Sequence, residues 1–428
     1  MVYKMILVFS VIAALAGFEC ILNCSCNLVA YPVPQRTQML DNTKLEEPKK
    51  LTLLVYMAAD NDLERYALQN LKALEQADFY RINVLVLLDR AENYDETNEN
   101  WTDTRLFEVM HDNTNGNSIV SKRLDCPPLG LSKDSPSELD MGNYNVLKTF
   151  VEFGKANYKS ENYALILWGH GTGWRYSRQE SDARAIAIDD KSNSYMCVKE
   201  LGLALKDQEL CVIGFDTCFG SVFENLYELK ECSQYITASP GITPAAGWNY
   251  KKLMEDLTAS DFSPEAIATI MSQNSNAQTT ITPTSELSQI MISIETFAEK
   301  LSSTITDEST RSSVLETLLR TQAYTYSEFP CDMYLDIFSM AGNFIEHSDN
   351  SLAAAARQLQ SATSAYKIGI FFIQKNSAGT LAASHSPSYI KNQAKQDQCS
   401  FIKESLWWVP TVNGNSQSIL DKLFYKSF

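Results

Sequence analysis

Two residues of this 428-residue chain combine reactive side chains with glycine-rich surroundings. His170 lies in Gly169-His170-Gly171-Thr172-Gly173, and Cys218 lies in Asp216-Thr217-Cys218-Phe219-Gly220. A thiol has an unperturbed pKa of about 8.5. A neighbouring imidazole raises the thiolate fraction at neutral pH and can later protonate a leaving amine. The two residues therefore suit nucleophilic catalysis, with Cys218 as nucleophile and His170 as base.

Each residue taken singly also has a structural interpretation. A cysteine that follows an apolar strand is usually a small buried hydrophobic residue, as we expect for Cys197 and Cys211. A lone histidine is usually structural too. The pairing favours catalysis, because the chain has only four histidines and one of them occupies a Gly-His-Gly-x-Gly turn.

Both segments follow apolar runs that are typical of buried strands, Tyr163–Trp168 and Cys211–Phe215. In an open parallel sheet, ligands bind beyond the carboxyl ends of the strands. His170 and Cys218 are therefore predicted at the edge where a site should lie. The backbone amides of Gly171 and Cys218 could there hold a developing oxyanion.

The rest of the chain up to residue 262 alternates apolar strands with amphipathic helices. Further strands are predicted at Leu51–Met57, Ile82–Leu88, Arg105–Met110 and Tyr235–Ala238, and helices at Asn145–Asn157, Tyr195–Lys206 and Ser221–Lys230. The spacing of Asn61 and Glu64 predicts a variant capping box at the start of a helix after the first strand. This alternation predicts an α/β fold with a mostly parallel sheet covered on both faces.

The pattern changes from Ser263 onward. Helices are predicted at Ala266–Gln273, Leu287–Leu301, Arg311–Tyr324 and Leu352–Ala365, with one strand at Ile368–Ile373. We therefore predict a catalytic domain over residues 49–262 and a mostly helical region over 263–428 that packs on the sheet.

Composition and charge restrict the partners of the protein. The formal net charge is −16, and no run of basic residues is longer than two, as in Lys49-Lys50. A nucleic-acid partner is not expected, because phosphate backbones require clustered Lys and Arg. An acidic surface would instead attract cationic substrates.

The N-terminus has the pattern of an export signal. Lys4 precedes a thirteen-residue apolar run, Met5–Gly17, which suits the core of a signal peptide and is short for a membrane span. We predict a signal peptide over residues 1–26 and a linker over 27–48, hence a secreted or cell-surface protein. A buried N-terminal strand or helix is the alternative. The cysteines near the cleavage region leave a lipid anchor open as a second alternative: Cys20, Cys24 and Cys26.

The remaining cysteines do not indicate a disulfide framework or a zinc site. Seven follow residue 26, their spacing is scattered, and they form no CxxC pair. No metal is predicted from these residues. A thiol redox protein is not favoured either, because Cys218 lacks a nearby resolving cysteine.

Three segments together resemble the clostripain family of caspase-like, clan CD cysteine peptidases. Val55–Glu64 resembles the opening strand, turn and helix of that family, Tyr163–Gly171 its histidine strand, and Ile213–Cys218 its nucleophile strand. Asp140-Met141-Gly142 and Asp189-Asp190 are weaker similarities. His170 precedes Cys218 by 48 residues, which is also close to the spacing of roughly 50 known for caspase-type enzymes.

The resemblance implies a caspase-like α/β/α sandwich and a thiol protease with a Cys/His dyad that cleaves proteins or peptides after Arg or Lys. It implies that Asp216 forms part of an acidic specificity pocket, which Trp248 could line. It also implies self-processing between the dyad residues, best matched by Arg184-Ala185 and next by Arg178. We expect a monomer without a cofactor.

The sequence departs from the family pattern before the Gly247-Trp248 pair. The usual acidic residues are missing from 239–246, which weakens the expectation of strict Arg/Lys preference. Calcium dependence, which occurs in the family, is not supported by the sequence. The alternative function is an exported binding protein that keeps the same fold without catalysis.

Overall fold

The computed structural model describes residues 48–114, 116–174, 186–326, 329–373, 399–408 and 418–424. Residues from Glu47 onward form one compact unit. The predicted signal peptide, nearly all of the predicted linker and the Arg178 and Arg184-Ala185 cleavage positions lie outside the described residues. Within the described part, no helix is both long and apolar enough to cross a membrane.

An eight-stranded sheet forms the centre of the fold. Its spatial order is β10-β9-β8-β5-β1-β2-β3-β4. The five strands from β9 to β2 pair in parallel, and β10, β3 and β4 are antiparallel at the edges. The strands are β1 Lys49–Ala59, β2 Ile82–Arg90, β3 Thr104–Glu108, β4 Lys122–Leu124, β5 Ser160–Trp168, β8 Leu210–Asp216, β9 Ser233–Ala238 and β10 Thr280–Pro283.

Helices cover both faces of this sheet, as an α/β/α sandwich requires. Alternate residues of β1 enter opposite cores: Leu53 and Val55 in one, Leu54 and Tyr56 in the other. The helices of the first core are α1 Glu64–Glu75, α5 Tyr250–Ala259 and α6 Pro264–Gln273, and those of the second are α2 Tyr144–Asn157, α3 Val198–Leu205, α4 Phe223–Glu228 and α7 Leu287–Thr304. The predicted mostly parallel, doubly covered sheet is confirmed.

Two smaller sheets and the remaining helices complete the described chain. A hairpin pairs β6 Ile186–Asp189 with β7 Ser194–Met196, and an antiparallel sheet has the order β11-β12-β13. Its strands are β11 Ala323–Tyr326, β12 Phe329–Asp336 and β13 Gly369–Ile373. The other helices are α8 Glu308–Leu319, α9 Ile337–Gly342, α10 Asn350–Thr363, α11 Ser400–Glu404 and α12 Ile419–Phe424.

Two predicted helices were wrong in their bounds, and several short strands were missed. The predicted helix Tyr195–Lys206 begins only at Val198, because Ser194–Met196 pairs as a strand of the hairpin. The predicted helix Arg311–Tyr324 ends at Leu319, and Ala323 begins a strand. Strands β4, β6, β7, β10, β11 and β12 were not predicted, because long-range pairing decides these segments.

The predicted capping box at Asn61 and Glu64 was also wrong. Asn61 Oδ1 accepts the amide of Leu63, and its Nδ2 donates to the carbonyls of Ala58 and Ile188. Glu64 instead faces Arg90 at the end of β2. A tertiary ion pair therefore replaces the local cap.

The Glu64–Arg90 pair is buried and its hydrogen bonds are satisfied. Arg90 Nε lies 2.5 Å from Glu64 Oε1, and both side chains are inaccessible. The guanidinium also donates to the carbonyls of Asp95 and Thr97 and lies over the Trp101 ring. The amide of Asp95 donates to Glu64 Oε2. The ion pair therefore links α1 to the end of β2 and to the loop that follows this strand.

Removing one member of this pair should be costly. Arg90→Met leaves a buried carboxylate without a partner, and we expect a loss of about 3–5 kcal/mol in the free energy of unfolding, measured by urea denaturation. Glu64→Gln in the same chain should restore part of it. Lys50→Met, which removes the exposed pair with Glu161, is the control and should cost less than about 1 kcal/mol. An equal loss of unfolding free energy in Arg90→Met and Lys50→Met would contradict this interpretation.

Candidate active site

The register of two neighbouring strands brings the loops of His170 and Cys218 to the same edge of the sheet. Strands β5 and β8 pair in parallel with Trp168 opposite Asp216, the last residue of each strand. His170 and Cys218 each follow two residues later. Adjacent strands lie about 4.8 Å apart, so both side chains emerge at one edge of the sheet. The loops that carry the two residues therefore leave the sheet at the same level.

Gly171 brings the histidine loop against the backbone of the nucleophile loop. A Cβ atom at Gly171 would lie 2.4 Å from the Cys218 carbonyl oxygen and 2.7 Å from Thr217 Oγ1. No side chain fits in that space, so a glycine is required there. The two segments whose amides were predicted to hold an oxyanion are therefore in contact.

A sharp turn follows Cys218. Phe219 has φ +53°, a left-handed conformation that costs a residue other than glycine about 1 kcal/mol or more. Its amide donates to the Gly241 carbonyl at 2.9 Å, and its ring packs on Tyr334. The turn leaves Cys218 half-buried at the strand end while both of its neighbours are buried.

The imidazole of His170 contacts a carboxylate that the sequence analysis did not single out. His170 Nε2 lies 2.6 Å from Asp62 Oδ1. Asp62 is in the turn between β1 and α1, within the Val55–Glu64 segment whose resemblance was noted, which was the available signal. A second carboxylate, Asp190, is close: burial raises its pKa, and the charge of His170 opposes that shift.

The thiol of Cys218 contacts Thr243. Sγ accepts the Thr243 amide at 3.3 Å and lies 3.6 Å from the Thr243 carbonyl oxygen. Burial raises the pKa of Cys218; the Thr243 amide lowers it and the Asp216 carboxylate raises it. In this arrangement the thiol form is favoured.

The stretch that departs from the family pattern supports the nucleophile loop. Thr243 Oγ1 donates to the Thr217 carbonyl at 2.8 Å, and the amide of Ser221 donates to the Ser239 carbonyl at 2.9 Å. Residues 239–243 thus hold the chain on both sides of Cys218. No sequence pattern in this stretch predicted the supporting role.

Asp216, the last residue of β8, precedes Cys218 by two residues and is buried, with 4% of its surface exposed. Its Oδ2 accepts the Trp248 amide at 3.0 Å and the Tyr250 hydroxyl at 2.8 Å, while its buried Oδ1 has no hydrogen-bond partner among the described residues. Burial raises the pKa of Asp216 to about 7, and these two hydrogen bonds oppose the shift. The shift follows from burial of a carboxylate that is only partly compensated by donors.

The Gly247-Trp248 pair meets Asp216 through its backbone. Gly247 has φ +68°, and a Cβ there would lie 2.7 Å from Asp216 Oδ2 and 2.8 Å from Asn70 Nδ2. The Trp248 ring is buried and packs over Gly214 of β8. The Trp248 ring therefore lies in the core, and its backbone amide donates a hydrogen bond to the Asp216 carboxylate.

Side chains of the C-terminal region contact the loop that carries His170. The Tyr334 hydroxyl of β12 donates to the Thr172 carbonyl at 2.9 Å. Trp174, at the end of the same loop, packs edge-on against Phe371 and Trp408. Residues far apart in sequence therefore hold the loop that carries His170.

Comparisons with known proteins agree with this arrangement. A family model described as the clostripain family matches residues 55–400. Clostripain from Hathewaya histolytica is 27% identical over 240 residues, which cover 52% of this chain and 45% of that protein. This chain thus matches less than half the length of that relative.

Solved structures show the same fold. An inactive zymogen of a C11 protease from Parabacteroides distasonis aligns with a TM-score of 0.57, over 83% of this chain and 98% of that one, at 17% identity. A secreted C11 cysteine protease from Bacteroides thetaiotaomicron, in complex with an irreversible peptide inhibitor, gives a TM-score of 0.54 over 84% and 98% of the two chains, also at 17% identity.

Proposed function

Because the chain belongs to the clostripain family of cysteine peptidases, we propose that it is an endopeptidase with Cys218 as nucleophile and His170 as general base. The observation that carries this proposal is the parallel register of β5 and β8, because both strands end at the same level and each is followed two residues later by one of these residues. An imidazole and a thiol in that position have the chemistry of peptide-bond cleavage.

The reaction would proceed through a thioester. His170 takes the proton of the thiol, and the thiolate sulfur attacks the substrate carbonyl carbon. The amides of Gly171 and Cys218 stabilise the oxyanion. His170 then protonates the leaving amine as the carbon–nitrogen bond breaks, and water hydrolyses the thioester. Asp62 orients the imidazole and stabilises its charged form through the 2.6 Å contact.

The described contacts fit an uncut precursor of such an enzyme. The thiol is hydrogen-bonded to Thr243 and the imidazole to Asp62, so the thiol must leave Thr243 before it can transfer its proton. One structural relative is an inactive zymogen. We therefore include maturation by cleavage between the dyad residues in the proposal.

Export is also part of the proposal. The apolar run near the N-terminus has the length of a signal peptide, and one structural relative is a secreted protease. Peptides and proteins are the proposed substrates, since that relative was solved with a peptide inhibitor.

Replacement of the nucleophile tests the activity. Cys218→Ala should abolish peptide hydrolysis and labelling by a thiol-reactive peptide probe, while far-UV circular dichroism and thermal melting stay nearly unchanged. Cys211→Ala is the matched control, because burial raises the pKa of Cys211 to about 12 and its thiol is unreactive. That variant should affect stability more than turnover. Hydrolysis retained by Cys218→Ala would refute the assignment. A wild-type protein that the probe does not label would favour the silent binding protein.

Asp216 is proposed to set a preference for a basic residue before the scissile bond. Asp216→Asn removes the charge at nearly constant volume, and a lost charge-assisted bond costs about 1.5–3 kcal/mol, about ten- to a hundredfold in kcat/KM. The loss should be confined to Arg and Lys substrates. Because the pKa of Asp216 is about 7, the wild-type preference for these substrates should increase as pH rises through that value and the carboxylate ionises.

Glu224→Gln is the control for this test. Glu224 is another buried carboxylate whose pKa burial raises to about 7, and one of its oxygens accepts the amide of Phe371. This variant should leave the ratio of kcat/KM for basic and neutral substrates unchanged. An equal loss for both substrate classes in Asp216→Asn would indicate a structural role.

Maturation is proposed at Arg184-Ala185. The segment from 175 to 185 is polar and carries three arginines, as a cleavable loop requires. Purified protein should separate on a denaturing gel into two chains, the larger beginning at Ala185. Cys218→Ala should stay whole, and Arg184→Ala should be cut slowly or at Arg178. Active protein that remains a single uncut chain would exclude maturation by this cleavage. The assignment of Cys218 and His170 would still stand.

A further inference from the structure

A cavity lies at the antiparallel edge of the central sheet, away from the catalytic pair. It has a volume of about 330 Å³ and is formed where β3 and β4 meet the segments that precede them. In the order of the sheet, β3 is separated from β8 by β2, β1 and β5. We refer to this cavity as the edge pocket; its lining includes Glu99, Trp101, Arg105, Phe107, Ile119 and Arg123.

Two arginines enter the edge pocket from neighbouring strands. Phe107 of β3 is paired with Arg123 of β4, and Arg105 lies two residues before Phe107, so the three side chains share one face of the sheet. Both guanidiniums bind the same carboxylate. Arg105 Nε lies 2.9 Å from one oxygen of Asp103, and Arg123 Nη2 lies 3.0 Å from the other. Two cationic groups therefore share one anionic partner.

Most hydrogen-bond donors of Arg105 have no partner. A guanidinium carries several N–H donors in a fixed fork, and among the described residues Arg105 donates only through Nε, to Asp103. Its side chain is 19% exposed. Burial lowers the pKa of Arg105, and the charge of Asp103 opposes that shift. The guanidinium carbon lies 4.3 Å from the centroid of the Trp101 ring, which holds the fork in place.

The rim of the edge pocket has an unusual backbone. Asn98, Glu99 and Asn100 have φ of +54°, +66° and +45°. A left-handed backbone is costly for residues other than glycine, and such residues concentrate at binding sites, where surrounding contacts maintain them. One such contact crosses the rim, because Asn98 Oδ1 accepts the amide of Ile119 at 2.9 Å. The strained segment is therefore held to the opposite wall of the edge pocket.

We propose that the edge pocket binds a small organic monocarboxylate with an apolar body. A carboxylate matches the fork of Arg105 through parallel charge-assisted hydrogen bonds, and its charge would balance the second arginine. The apolar body would contact the wall formed by Trp101, Phe107 and Ile119. The volume of about 330 Å³ lies at the lower end of the range of about 300–1,000 Å³ for small-molecule sites.

Glu99 favours a ligand with a single negative charge. Its carboxylate is exposed at the rim, and its charge acts on Arg105. One negative charge would complete the balance of Arg105 and Arg123 against Asp103, whereas a second would be repelled by Glu99. Sulfate and phosphate also lack an apolar body. Binding of this kind is independent of the proposed peptidase activity.

Isothermal titration of the full chain tests the site. The Cys218→Ala variant is used so that neither self-cleavage nor hydrolysis contributes heat, and it is titrated with N-acetyl-L-phenylalanine, with the corresponding amide and with sodium sulfate. We expect one saturable site for the carboxylate and binding of the neutral amide that is weaker by about tenfold or more. Absence of a saturable site, or equal affinity for carboxylate and amide, would overturn the proposal. Sulfate that binds as tightly as the carboxylate would overturn the assignment of an organic ligand.

Matched variants locate the bound carboxylate. Arg105→Gln should weaken binding of N-acetyl-L-phenylalanine about tenfold or more, and Glu99→Gln should strengthen it about two- to fivefold by removing a like charge. Arg65→Gln is the control and should leave the affinity unchanged, because Arg65 lies over the ring of Tyr66 on α1, outside the edge pocket.

The two pocket variants keep the test decisive. Unchanged affinity in a folded Arg105→Gln protein would overturn the proposal. Glu99 is exposed, so its variant should fold normally. If Arg105→Gln fails to fold, an affinity that Glu99→Gln does not raise would overturn the proposal in the same way.

Discussion

The alignment of β5 with β8 is the constraint on which the site depends. Trp168 is paired with Asp216, so the chain leaves both strands at the same level and presents His170 and Cys218 two residues later. A slip of one residue would turn each buried side chain to the opposite face and separate the pair. The register is specified strongly because both faces of these strands are covered by apolar cores.

The loops that carry His170 and Cys218 can lie close together because of a small residue between them and the hydrogen bonds that hold them. Gly171 allows the histidine loop to touch the Cys218 backbone, and Thr243 holds the nucleophile loop from the other side. Tyr334 joins this assembly from the C-terminal sheet by contacting both Thr172 and Phe219. The C-terminal region is therefore a structural part of the site, although its residues carry none of the proposed chemistry.

Carboxylates at this edge of the sheet are stabilised in three different ways. Glu64 has a buried arginine as partner, Asp216 has two donors to one of its oxygens, and Asp60 and Asp89 each have one buried oxygen without a hydrogen-bond partner among the described residues. The first arrangement is complete by itself. In the other two, a buried carboxylate oxygen without a partner is costly unless a proton or a positive charge compensates it.

The sequence by itself determined the parallel sheet and the loops that carry His170 and Cys218. Apolar strands bounded by glycine are a local signal, and their carboxyl ends must share one edge. Only the tertiary structure decided that Asp62 meets His170, that Glu64 pairs with Arg90 rather than capping its helix, and that the Trp248 ring lies in the core. Those outcomes depend on residues that are distant in the chain, where spacing carries no information about which charge or ring will be nearest.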